Sequence, residues 1–228
     1  MFNKRCKLLN QQYQVVSHCD VTEYVRDMCQ ITPSEVAVAL DDNASNTHNV
    51  QFITVTQSQL TLGRKLELQH RCIGIDHHEG ELFICSSTAL FKYTLSGKQV
   101  CRLYEDESAY DTVYNCAVSP TGDRLYIISL RQDKLLTLAR DGTLLATYTD
   151  RALVYPYGLH VTPAGQVLVC GYLPPTVLQV GWEGQSKLAT LATREDGVWS
   201  PWSVCYSSIT SSIIVGQKWD DILVFRVE

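Results

Sequence analysis

The sequence predicts an all-β chain folded as a β-propeller, and three observations predict it. A unit of roughly 43 residues recurs along the whole length, each unit holds short strand-like runs parted by turn residues, and both chain ends read as incomplete units. Five segments set the register: 29–33, 73–77, 116–120, 159–163 and 204–208. Taking Ile31, Ile75, Val118, Val161 and Tyr206 as equivalent positions gives spacings of 44, 43, 43 and 45.

Each of these first strands is followed by a turn and a second apolar run, at 36–40, 82–85, 125–129, 167–170 and 213–215. The turn chemistry is explicit in Ser-Pro-Thr-Gly-Asp (119–123) and Thr-Pro-Ala-Gly-Gln (162–166). Third runs follow at 51–55, 89–94, 134–138, 176–180 and 222–225, and fourth runs close four of the units, as at 97–103 and 142–148. Runs of four to six residues rich in Val, Ile, Leu, Tyr and Thr are too short for packed helices. The sole candidate helical turn lies around 21–28.

A four-stranded antiparallel sheet cannot bury both of its faces alone, and stacking sheets around an axis covers each with the next. The boundaries are therefore four complete blades at 29–66, 72–104, 116–148 and 158–191, inside one domain spanning 1–228. Residues 1–17 read as strands three and four of a partial blade, and 203–228 as a last blade without its fourth strand. The expected fold is a six-bladed propeller; the alternative is a smaller ring in which the N-terminal strands complete the last blade.

Composition narrows the function. Lys and Arg total 19 against 24 Asp and Glu, a net charge of -5, and no run of five like charges occurs, which disfavours a phosphate-binding stripe. No apolar leader or eighteen-residue apolar span is present, so a cytoplasmic, non-membrane setting is expected. The nine cysteines include no CxxC pair. Cys85, Cys116, Cys170 and Cys205 fall in apolar runs, where reduced thiols act as small hydrophobes; a disulfide or redox role is the alternative.

The fragments Asn3-Lys-Arg-Cys-Lys-Leu-Leu and Tyr155-Pro-Tyr-Gly-Leu-His-Val161 resemble the NHL repeat, with its N-x-R-I-x-V-F third strand and P-x-G-I-A-V first strand. The chain as a whole is similar to the C-terminal propeller of invertebrate tripartite-motif, ubiquitin-ligase-like proteins. That resemblance implies a propeller that recruits a protein or RNA partner, with RING, B-box and coiled coil upstream and any oligomerisation through those segments. The chain has no zinc-ligand spacing, so ligase catalysis is not expected within it.

In a blade, the loops joining strand two to three and strand four to the next blade emerge at one end. Four residues before each register position stand Asp27, Arg71, Tyr114, Tyr157 and Trp202, and the surrounding loops add Tyr24, Arg26, Tyr110, Arg131, Arg151, Tyr155, Tyr172, Trp199 and Trp219. Tyr, Trp and Arg dominate interface hot spots, which makes this end the expected partner-binding surface. The competing reading is that the aromatics wedge between blades, and Tyr155 is expected to do so. RNA binding would place Arg26, Arg71, Arg131 and Arg151 on phosphates, with the aromatics stacking bases.

Catalytic constellations are sparse. Asp76-His-His-Glu79 suggests metal ligands but is expected to form a solvated hairpin turn, and His160 is expected to be a core histidine. Asp41-Asp42-Asn43 offers oxygen ligands but lacks the glycine and distal glutamate of a calcium loop, and reads as a solvated loop. A lactonase-type hydrolase would need axial ligands, for which Asp27, Asn115 and Asp76 are the candidates. No cofactor is expected.

Overall fold

The computed structural model describes residues 4–219 and 221–227; Asn3 of the N-terminal motif and Asp220 lie outside the described residues. The fold is an all-β propeller fold with five blades and a separate two-stranded sheet. The chain forms two compact units, Met1–Arg102 and Leu103–Glu228.

In the first unit, β1 (Arg5–Leu9) and β2 (Val15–Asp20) pair antiparallel, with Cys6 opposite Cys19. The first blade is β3 (Val25–Thr32), β4 (Glu35–Asp42), β5 (Thr47–Val55) and β6 (Leu60–Glu67); the second opens with β7 (Gly74–His78), β8 (Glu81–Cys85) and β9 (Ala89–Thr94). Its outer strand, β10 (Gln99–Glu105), contains the boundary between the units.

The second unit holds three blades. They are β11 (Asn115–Val118), β12 (Arg124–Ser129), β13 (Lys134–Ala139) and β14 (Leu144–Tyr148); then β15 (Val154–Val161), β16 (Val167–Leu173), β17 (Thr176–Val180) and β18 (Lys187–Thr193); then β19 (Pro201–Ser207), β20 (Ser212–Gln217) and β21 (Ile222–Arg226). Every pairing is a simple antiparallel meander.

Burial explains the sequence pattern of each strand. The second strands are covered on both faces and so lose the usual alternation: Ala37, Val38, Ala39 and Leu40 are all buried, as are 125–129. Fourth strands lie outermost and read polar, as in Leu60–Glu67. Blade faces meet as apolar layers. Ala37, Ala39 and Phe52 pack on Ile75, Leu82 and Ile84; Tyr126 and Ile128 pack on Leu159, Val167 and Leu178; and Leu168, Cys170 and Val177 pack on Val204, Ile213 and Val215. The two-stranded sheet brings Cys6 and Val21 against Val38, Leu40 and Ile53, covering the other face of the first blade.

Three expectations are corrected. The chain builds five blades rather than six, because β1 and β2 pair only with each other and gain no inner strands. The stretch 21–28 holds no helical turn: β3 begins at Val25, and a short 3-10 helix at Arg194–Asp196 is the one helical segment among the described residues. Asp76, His77 and His78 belong to β7 rather than to its turn, since pairing runs on to His78 opposite Glu81. The turn itself is Glu79-Gly80, both with positive φ (46° and 83°), the geometry of a two-residue hairpin that twists with its strands. No described helix is long and apolar enough to cross a membrane.

All nine cysteines are free. Burial pushes the Cys6 thiol up to about 12, which leaves it protonated and unreactive. Cys205 is exposed on β19, contrary to its expected role as a buried hydrophobe.

Candidate functional site

The residues four places before each register position divide by unit. In the second unit they converge. Tyr114 leads into β11, Tyr157 lies in β15 and Trp202 in β19; Tyr157 stacks on Trp202 with ring centroids 5.5 Å apart and 18° between planes. Tyr114 and Tyr172 each meet Tyr157 edge-on, at 5.6 and 5.7 Å. Offset stacks and edge contacts are the favoured aromatic geometries, adding about 0.5–1.5 kcal/mol per pair beyond area burial.

Backbone approach makes the stack possible. A Cβ on Gly158 would stand 2.7 Å from the Ser203 Cα, so only glycine lets β15 run this close to β19 beside the paired rings. Asn115 Nδ2 donates to the Tyr157 carbonyl at 3.2 Å, which joins β11 to the same cluster. The central rings of Tyr114, Tyr157 and Trp202 therefore pack against one another between neighbouring blades at the loop end.

Around this stack lie exposed aromatics, each beside a cation. Tyr110 is 62% exposed with the Arg131 guanidinium 4.4 Å from its ring, and Trp199 is 59% exposed under Arg194 at 4.0 Å. Trp219 is 71% exposed, and Lys218 lies 5.4 Å from it and 5.8 Å from Trp202. Arg151 is exposed in the turn before β15.

The loops that carry these rings are pinned. Thr193 caps the 3-10 helix together with Asp196, Trp199 N–H donates to Gln217 Oε1 at 2.8 Å, and Lys218 N–H donates to the Ser200 carbonyl at 3.1 Å. Gln132 Nε2 donates to Asp106 Oδ2 and to Ser108 Oγ, both at 2.9 Å, and Thr112 Oγ1 donates to the Asp106 carbonyl. Tyr155 is not a wedge: Asp133 Oδ1 accepts from its N–H at 2.7 Å and holds it at φ 49°, with the ring exposed.

In the first unit the equivalent residues turn inward. Asp41, fully buried, receives Arg71 Nη2 at 3.0 Å, Arg71 Nε at 3.3 Å, the Cys72 N–H at 3.2 Å and the His48 ring Nδ1 at 2.7 Å, with Arg26 Nη2 at 3.5 Å. This overturns the reading of Asp41 as part of a solvated loop: β4 runs on through Asp42, and Asp41 pairs directly opposite His48. Tyr24 lies under the Lys4 ammonium at 4.5 Å. A polar pocket of about 340 Å³ beside His48 is lined by Glu23, Asn46, Asn49, Lys65 and Glu67. Glu23 is occupied there by Lys65 at 2.8 Å and Asn49 at 3.1 Å.

Asp27 accepts from the Ile75 N–H at 2.9 Å, which clips the first blade to the second. Burial pushes its carboxyl from the ordinary 3.8 up to about 7, against the N–H donors that favour the ionised form. The folded chain thus holds this proton more tightly than the unfolded chain. Its stabilising effect is complete below about pH 4 and is lost as pH rises through 7. Asp27→Asn is expected to be more favourable relative to wild type at pH 8 than at pH 5 in urea unfolding; an offset equal at both pH values would refute the shift.

Of the catalytic candidates, Asp76 lies close enough to Asp27 to add its charge to the rise of that carboxyl. Asn115 Oδ1 accepts from the Cys116 N–H, Asp76 Oδ1 from the His77 N–H, and His77 Nε2 from the Gly80 N–H. Burial pushes His160 down to about 4, so it is neutral at pH 7. Among the described residues no group of three His, Cys, Asp or Glu is placed to hold a metal ion. The members that sequence reasoning missed are Asp41 and His48, and the loop cations Arg194 and Lys218.

No protein-family model matches the chain, and no curated protein matches it. Solved structures do. A functionally unknown protein from Desulfotomaculum acetoxidans DSM 771 aligns over 99% of this chain and 73% of its own, with a TM-score of 0.69 and 15% identity. A protein of unknown function from Bacteroides caccae aligns over 98% and 86%, with a TM-score of 0.73 and 10% identity. At these identities the likeness establishes a shared fold and nothing of function.

Proposed function

We propose that the chain is a non-catalytic recognition module that docks a protein partner through the aromatic loop end of its second unit. On the NHL-like motifs, it is the substrate-recruiting propeller of a tripartite-motif, ubiquitin-ligase-like protein in a reducing, cytoplasmic setting. The observation that carries the reading is the exposure of Tyr110, Trp199 and Trp219 on pinned loops around a stacked aromatic centre. Large rings held in place lose little entropy on binding, and a solvent-facing cluster of this kind marks an interaction site.

Protein is favoured over RNA by charge and by prior engagement of the arginines. Residues 103–228 hold 14 Asp and Glu against 9 Lys and Arg. Arg26 and Arg71 are held by Asp41, and Arg131 lies over Tyr110. Phosphate binding would have to strip these cations from their partners.

The test compares partners retained by wild type and by the Tyr110→Ala, Trp199→Ala, Trp219→Ala triple variant, which touches only exposed rings. A defined protein set retained by wild type and depleted at least about tenfold by the variant is expected, as hot-spot truncation predicts. An unchanged set, or a retained species that is nucleic acid with steeply salt-dependent affinity, would remove the proposal.

A further inference from the structure

The loops at the aromatic end of the second unit carry most of its excess charge. Segments 106–114, 130–133, 149–153 and 194–200 together hold seven Asp and Glu against three Arg, a net of -4. Residues 103–228 as a whole reach -5, from 14 acidic and 9 basic side chains. The acidity of the unit is therefore gathered where its rings are exposed.

Most of these charged groups are already committed. Asp106 accepts from Gln132 and from the Ser108 N–H, Asp133 from the Tyr155 N–H, and Asp196 from Thr193, while Asp150 accepts from the Ala152 N–H and pairs with Lys187. Arg131 lies over Tyr110 and Arg194 over Trp199. Glu107 and Glu195 differ: both are exposed, and neither side chain has a hydrogen bond or ion pair among the described residues. Each shares its loop with an exposed ring, Glu107 three residues before Tyr110 and Glu195 four before Trp199. Even with a cation of the chain against it, each of these aromatic residues keeps more than half of its surface open.

We propose that the partner docked at this end is a basic protein segment, whose Lys or Arg side chains lay their stems on Tyr110 and Trp199 and set their charged heads at Glu107 and Glu195. This assignment rests on the reading of the aromatic end as the docking surface, and adds the chemistry of what docks there. Long cationic side chains suit both halves of the surface. The methylene stem covers an apolar ring, and the ring face and the carboxylate each attract the head. A net negative loop end steers a basic partner in and repels an acidic one. The two loops lead into β11 and β19, so a segment that engages both crosses the end where Tyr157 and Trp202 stack.

The probe is a synthetic peptide of three Gly-Arg-Leu-Lys repeats, titrated into the full chain by calorimetry beside the same peptide with Glu in place of Arg and Lys. Binding of the basic peptide alone is expected. The double variant Glu107→Gln, Glu195→Gln should weaken it by about tenfold, roughly threefold for each exposed charge lost, with unchanged thermal unfolding. Glu67→Gln removes an exposed carboxylate from the first unit and should alter affinity by less than about twofold. Glu107→Lys with Glu195→Lys should transfer binding to the acidic peptide. Raising salt from about 50 to about 500 mM should weaken the wild-type complex, since exposed pairs are screened.

The Tyr110→Ala, Trp199→Ala, Trp219→Ala variant separates the two readings. Peptide affinity that falls with the rings but ignores Glu107→Gln, Glu195→Gln would overturn the basic-segment assignment and leave the docking surface standing. Absence of peptide binding to wild type, while the ring variant still loses its protein partners, would do the same. Equal affinity in wild type, the glutamine variant and the ring variant would place the peptide elsewhere and overturn the proposal, as would tighter binding of the acidic peptide.

Discussion

Asp41→Ala is expected to destabilise the first unit by about 3–5 kcal/mol, the range for removing one partner of a buried ion cluster. The magnitude follows from what would be left behind. The Asp41 carboxylate is fully buried and receives two arginines, a histidine ring and a backbone N–H. Without it, the Arg26 and Arg71 guanidinium groups both lose this buried carboxylate and the Cys72 N–H loses its acceptor. Asp41→Asn keeps an acceptor for that N–H and should fall between alanine and wild type. Urea unfolding monitored in the first unit checks this; a loss of less than about 1 kcal/mol, typical of an exposed ion pair, would refute it.

Tyr126→Ala is expected to cost about 3–5 kcal/mol in the second unit, and Tyr126→Phe only about 1 kcal/mol. Tyr126 is the largest of the fully buried side chains. Its ring fills the layer between the third and fourth blades, and its hydroxyl donates to the Trp182 carbonyl at 2.6 Å. Alanine leaves a ring-sized void in that layer, whereas phenylalanine removes the hydrogen bond alone. Equal losses for the two variants would mean that the hydroxyl, and not the packing, is the dominant contribution.

The repeat was legible because blade stacking imposes it. Inner strands buried on both faces must be continuous apolar runs, and tight hairpins demand glycine at positive φ, so period and turns are written in residue types. Tyr114, Tyr157 and Trp202 meet because equal positions in successive blades lie side by side. The same register misplaced Asp27 and Arg71, which share the position but not the surroundings. A signal for Asp41 was present: it follows Ala37 and Ala39 at a period of two, which places it on the face of β4 that packs on the second blade. The adjacent Asp42-Asn43 masked that alternation by imitating a loop.

Blade number was not legible, since two strands at one end and three at the other satisfy the same sequence period whether or not they form complete sheets. The exposure of Tyr155 was hidden too, because it depends on a left-handed backbone set by Asp133, 22 residues away.

The most direct test of the recognition reading is photo-crosslinking from a benzoylphenylalanine placed in turn at Trp199, Trp219 and Trp182. All three side chains are strongly exposed, but Trp182 lies in the turn between β17 and β18, at the opposite end of its blade from the loops that carry Trp199 and Trp219. The account predicts crosslinks to the same protein from positions 199 and 219 and none from 182. Equal yields at all three positions, or crosslinks to nucleic acid, would contradict it.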